Sequence, residues 1–127
     1  MSQAVGALDI TLVAGADLSA VQYHFIKLDA DGKAIVCGAN EVSIGILQNT
    51  PESGEAARVR VLGTSKLVMS EGVDEGEAIT SIAGGAGEVV DLADEYFGAI
   101  CIEAATAAND IIEVLVTHGY SPVSHAG

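Results

Sequence analysis

Apolar and polar positions alternate along much of this chain with a period of two, in short runs broken by glycine, Asn, Asp and Pro. That period is the mark of strands with one wet face. The clearest case is residues 43–69, S-I-G-I-L-Q-N-T-P-E-S-G-E-A-A-R-V-R-V-L-G-T-S-K-L-V-M. Ile44, Ile46 and Leu47 load a first strand, and residues 49–54 break it. Val59 and Val61 then alternate with Arg58 and Arg60, which predicts a second strand whose arginines lie on the wet face. Gly63 reads as a turn into a third strand, Leu67-Val68-Met69.

The flanking segments read the same way. Residues 9–13 (D-I-T-L-V) predict a strand, and residues 23–28 (Y-H-F-I-K-L) another. In the latter, Tyr23, Phe25 and Lys27 take one face and His24, Ile26 and Leu28 the other. Asp31-Gly32 separates it from a strand at 33–37, which predicts a hairpin with a type I′ turn and positive φ at both central residues. After Met69, an acidic loop (70–77) precedes a strand at 78–82 and a glycine turn at 83–87. A short strand through Val89, Val90 and Leu92 follows, then strands at 96–103 and 110–117.

The two halves echo one another at an offset of 53. Ile26 aligns with Ile79, Gly32 with Gly85, Gly45 with Gly98, Leu47 with Ile100, Val59 with Ile112 and Val61 with Val114. The expected fold is all-β: a small barrel-like domain of eight or nine short strands. Residues 1–8 form an extended N-terminal arm, residues 9–120 one β-domain, and residues 121–127 a polar tail.

Composition narrows the function. The chain has 127 residues, enough for a single core. It is rich in small branched residues, with no Trp, two Phe and three Tyr, which suits sheets. Its net charge is −13, and all five basic residues (Lys27, Lys33, Arg58, Arg60, Lys66) precede Leu67. A nucleic-acid binder needs a basic stripe to displace counterions, so no nucleic-acid partner is expected. No apolar run approaches the ~20 residues of a membrane helix, and the N-terminus lacks a signal-peptide pattern. A soluble protein made in the cytoplasm is expected, with Cys37 and Cys101 as buried thiols.

Candidate chemistry does not assemble. Asp29-Ala30-Asp31-Gly32 resembles the start of a calcium loop. The sixth and twelfth positions, where such a loop needs Gly and Glu, hold Ala34 and Asn40. Ala83-Gly84-Gly85-Ala86-Gly87 lacks the Lys-Ser/Thr of a phosphate loop. His24, His118 and His125 are far apart and lack metal-ligand spacing. The acidic residues at 71–77 and 88–95 read as solvated rims. No catalytic residue, cofactor or metal is expected, and the chain is read as a binding protein and not an enzyme.

The stretch S-I-G-I-L-Q-N-T-P-E-S-G-E-A-A-R-V-R-V-L-G resembles the core pattern of the tailed-phage capsid cement, or head decoration, proteins. Residues 14–29, 73–81, 97–104 and 110–116 resemble the same family, so the likeness spans about 9–117. It implies a β-tulip-like domain that joins the virion on the outer surface of the expanded capsid. There it binds the major capsid protein as a homotrimer and stabilises subunit contacts against DNA pressure. The arm would reach the lattice or a neighbouring subunit through Ser2, Gln3, Val5 and Leu8. Arg58 and Arg60, on the wet face of an acidic protein, are expected to pair with acidic groups across the trimer or on the capsid. The alternative is a non-catalytic β-domain that binds a small molecule or a carbohydrate.

Overall fold

The computed structural model describes residues 7–90 and 95–121. Among them there is no helix, and nine strands form one antiparallel sheet curled into half-barrels. The strands are β1 (Leu8–Val13), β2 (Phe25–Leu28), β3 (Ala34–Val36), β4 (Gly45–Leu47), β5 (Ala56–Val68), β6 (Ala78–Ser81), β7 (Gly87–Val89), β8 (Glu95–Cys101) and β9 (Ile111–Ser121). Their order is β3-β2-β4-β5-β9-β8-β6-β7, with β1 paired to β5. Ser2, Gln3, Val5, Leu92 and residues 122–127 lie outside the described residues. Leu8, the last residue of the expected arm, is the first residue of β1 and pairs with Leu62.

The strand order is a palindrome, because the chain contains one five-stranded motif twice. The β2–β3 hairpin pairs Ile26 with Val36 and Leu28 with Ala34, and the β6–β7 hairpin pairs Ile79 with Val89 and Ser81 with Gly87. Each pair is displaced by 53 residues. The turns match as well. The Asp29 amide donates to the Lys33 carbonyl, as Ile82 does to Ala86, and Gly32 donates to Asp29, as Gly85 does to Ile82. In the second turn Gly84 and Gly85 are both at positive φ, 95° and 90°. The first turn differs from the expected type I′: Gly32 has φ of 77°, whereas the two residues before it are not at positive φ. That is a three-residue loop ending in a left-handed glycine, which relieves the steric demand on Ala30 and Asp31.

Beyond the hairpins the offset drifts. Leu47 pairs with Val59, and its counterpart Cys101 pairs with Val114, offsets of 54 and 55. The chain is one residue longer from Val89 to Ala99 than from Val36 to Gly45, and one residue longer from Cys101 to Val114 than from Leu47 to Val59. Val59 therefore corresponds to Val114, and not to Ile112 as the constant offset suggests. On this register β1 corresponds to the second part of β5. The bonds from Ala14 to Glu55 and from Gly54 to Ala14 recur as Met69 to Asp110 and Asn109 to Met69.

Gly63 is thus not a turn. It lies inside a continuous 13-residue strand, at the point where β5 passes from partners β1 and β4 to partner β9. Its φ of 97° bends the strand, and a Cβ there would sit 2.7 Å from the Ala7 Cα. The first half-barrel consists of β1–β4 and the start of β5. The second consists of the rest of β5 and β6–β9.

Each half-barrel has its own apolar filling. Leu18, Ile26, Ala34, Leu47, Ala57 and Val59 fill the first. Leu67, Met69, Val73, Ile79, Cys101, Ile112 and Val114 belong to the second. β2 faces both. Ile26 points into the first half-barrel, and Phe25 on its other face packs with the second cluster. This explains why Phe25 and Ile26, on opposite faces of one strand, are both buried. Tyr23 does not extend β2 as the alternation suggests. It has φ of 65° and occupies a turn, where its amide donates to Leu47 and its carbonyl accepts from Val68. Its counterpart in the second motif is Gly76, φ 86°, whose amide donates to Cys101. Glycine holds that conformation without the steric cost that tyrosine bears, of order 1 kcal/mol.

Candidate interaction surfaces

The alternation in 58–61 places Val59 and Val61 toward the first core and turns both arginines outward. Register sets what they meet. β1 lies antiparallel to β5 with Asp9 opposite Arg60 and Thr11 opposite Arg58. The Arg60 Nε donates to one Asp9 oxygen at 2.7 Å and a terminal nitrogen donates to the other at 3.1 Å, a two-pronged pair. Its remaining terminal nitrogen donates to the Thr64 carbonyl at 3.1 Å. The Arg58 Nε lies 3.4 Å from Asp9. The Arg60 side chain is 16% exposed and Arg58 is 56% exposed. The guanidinium of Arg60 holds the Asp9 carboxyl below its ordinary range, opposed by burial and assisted by the charge of Arg58. The acid facing these arginines is therefore in the same chain, 51 residues away from Arg60. Arg60 fastens β1 to β5, and Arg58 projects.

On one side of this pair Leu8 and Leu62 are cross-strand partners and both exposed, and on the other lie Thr11 and Arg58. Ile10, opposite Val59, is exposed as well. Further exposed apolar residues lie at Val13, Leu28, Ile102, Ile111 and Leu115. Sequence alternation placed these on strands, but the curl of the sheet decides which outward positions are covered.

An open, mostly apolar cavity of about 270 Å³ is lined by Val42, Ser43, Tyr96, Phe97, His118 and Gly119. Its walls come from the loop before β4 and from β8 and β9, segments far apart in sequence, so no local pattern announced it. The Tyr96 amide donates to the Asn40 side chain at 2.9 Å, joining these two walls.

The groups weighed for metal or catalytic chemistry have structural partners. Asp29 accepts from the amides of Asp31 and Lys33, both at 2.9 Å, and so closes its hairpin. Glu71 accepts from the Val89 amide and Glu77 from the Asp74 amide. His24 Nδ1 lies 3.0 Å from the Gln22 carbonyl, and His125 is outside the described residues. Among the described residues no three His, Cys, Asp or Glu side chains converge as metal ligands. Cys37 and Cys101 are buried free thiols, and burial raises the pKa of both.

No family model matches the chain, and no curated protein sequence matches it. Among solved structures, it is similar to the N base of the head fiber gp8.5 in bacteriophage phi29, with a TM-score of 0.67 and 12% identity. The likeness covers 87% of this chain and 94% of that one.

Proposed function

We propose that this chain is a non-catalytic virion protein of a tailed phage that sits on the outside of the head. There it binds the major capsid protein and, as a homotrimer, reinforces contacts between capsid subunits. The observation that carries the reading is the near end-to-end likeness of fold to a phage head fiber base. The outer surface fits the same role. It offers exposed aliphatic side chains on a rigid sheet, which suit flat protein contacts better than a substrate cleft. In this reading the contact groups toward the capsid or a neighbouring subunit are Ser2, Gln3, Val5 and Leu8 of the arm, together with the exposed Arg58. Arg60 acts indirectly, by holding β1 in place. The acidic remainder keeps a densely coated particle soluble.

The test is co-sedimentation of purified protein with expanded heads of the phage that encodes it, followed by heating. Saturable binding and a higher rupture temperature are expected. Heads that neither bind the protein nor gain heat resistance would reject the proposal. Saturable binding to a glycan or small-molecule panel under the same conditions would favour a ligand-binding domain built on the cavity beside Tyr96 and Phe97.

A further inference from the structure

The duplicated motif gives each half-barrel the same two faces, and the chain joins only one pair of them. In the first half-barrel the outward face of β2 and β4 carries Phe25 and Ile46, and both are fully buried. The second half-barrel covers them. The Phe25 amide donates to the Gly85 carbonyl at 2.8 Å, and the Val68 amide donates to the Tyr23 carbonyl at 2.9 Å. A Cβ on Gly98 would lie 2.8 Å from the Phe25 ring. The Asn40 amide donates to the Ser81 carbonyl at 2.8 Å, so the covering face includes Val68, Ser81, the Gly85 turn and Gly98.

The equivalent positions at the two ends of this arrangement are open. On the second half-barrel the counterparts of Phe25, Ile46 and Arg60 are Ala78, Ile100 and Leu115. They form one cross-strand row, since Ala78 pairs with Ile100 and Ile100 with Leu115. Ala78 and Ile100 are half-buried and Leu115 is 42% exposed. On the first half-barrel the counterparts of Val68, Ser81 and Gly85 are Val13, Leu28 and Gly32. Val13 is 48% and Leu28 45% exposed. Apolar side chains thus stand unshielded at both ends, where equivalent positions inside the chain are packed.

We infer that a second copy of this chain occupies the Ala78–Ile100–Leu115 row, docking through its own Val13, Leu28 and Gly32 turn. The contact repeats the one already present between the two half-barrels. Residues 8–62 carry four basic groups and seven acids, whereas residues 63–121 carry Lys66 and eleven acids. A head-to-tail contact therefore meets less charge repulsion than one between two copies of the more acidic half. Such a contact joins two different faces, so it closes as a ring when the rotation permits. The inference rests on the self-association part of the proposed function and not on capsid binding.

The experiment is sedimentation of Leu28→Glu, Leu115→Glu and their mixture beside the wild-type protein over a concentration series, with melting curves to verify folding. The wild type self-associates, and either substitution weakens association by at least about tenfold, because a carboxylate replaces a buried apolar contact. Each variant keeps one sound face. The mixture therefore forms a one-to-one complex that grows no further. If Leu115→Glu fails to fold, Leu115→Gln takes its place. A wild type that stays monomeric, variants that associate like the wild type, or a mixture that stays monomeric would overturn the inference. Head binding by the same proteins separates the two proposals. Chains that bind heads without associating through these faces reject this inference alone. Chains that associate through them and ignore heads reject the capsid reading alone.

Discussion

The Asp9–Arg60 pair gives a measurable coupling between the first strand and the shared strand β5. The perturbation is suggested by the duplication itself, because the second motif holds Thr64 and Leu115 where the first holds Asp9 and Arg60. Asp9→Thr leaves a guanidinium that is only 16% exposed with the Thr64 carbonyl as its remaining partner. Arg60→Leu leaves Asp9 facing only the longer contact to Arg58. Two charge-assisted bonds of 2.7 and 3.1 Å are lost in each case. A hydrogen bond to a charged group contributes about 1.5–3 kcal/mol, and residual solvent contact lowers the pair toward the exposed range. Each single variant should lose about 2 kcal/mol, and the double variant distinctly less than the sum, with a coupling of about 1–2 kcal/mol. Urea unfolding of the four proteins at pH 7 reads the cycle.

The pH dependence has a fixed sign. The Asp9 carboxyl is held below the ordinary value of 3.8 in the folded chain, so its contribution is complete above that value. It fades as pH falls through the lower, folded value. The coupling should therefore shrink as the cycle is repeated in increasingly acid buffer, down to the lowest pH at which the wild type remains folded. A coupling of zero at pH 7, or one that persists unchanged once Asp9 is protonated, would refute the reasoning.

Phe25→Ala should cost about 4 kcal/mol in urea unfolding, because the ring is 1% exposed and fills the seam between the half-barrels. A loss below 1 kcal/mol would mean that the seam collapses around the gap. Thr80→Val should raise stability by about 1 kcal/mol, since the Thr80 hydroxyl is buried without a hydrogen-bond partner among the described residues. A lower urea midpoint for that variant would show that the hydroxyl is used. Native protein should leave both cysteines unreactive to a thiol reagent at pH 8, with full reaction in denaturant, because burial disfavours both thiolates. Fast labelling of either thiol in the native state would contradict its placement.

Local chemistry made much of this fold legible before any coordinates. The runs at 9–13, 78–82 and 110–117 became strands, and the glycine-marked hairpins fell where Asp31-Gly32 and 83–87 placed them. The 53-residue echo was visible because the hairpins keep strict spacing. It blurred past the hairpins, because the second motif is one residue longer between β7 and β8 and again between β8 and β9. Gly63 misled, since a glycine between two alternating runs has the same local signal whether the chain reverses or merely bends. Tyr23 misled for the opposite reason, as a bulky residue in a left-handed turn contradicts its own preference. The surface was harder. Outward placement of Arg58 and Arg60 follows from period two, but the identity of the facing residue depends on the register of β1, 51 positions upstream of Arg60. Which apolar residues stay exposed depends on the curl of the whole sheet.

The continuity of β5 sets how the molecule comes apart. Residues 56–62 hydrogen-bond within one half-barrel and residues 63–68 within the other, with no linker between them. Peeling β1 or β4 from one end exposes the same backbone whose far end is held by β9. Loosening on one side is therefore transmitted along one strand that bends at Gly63 but is not interrupted. Amide exchange across both halves should report one shared opening free energy. A tension applied at one half-barrel would be borne by the rungs of the other.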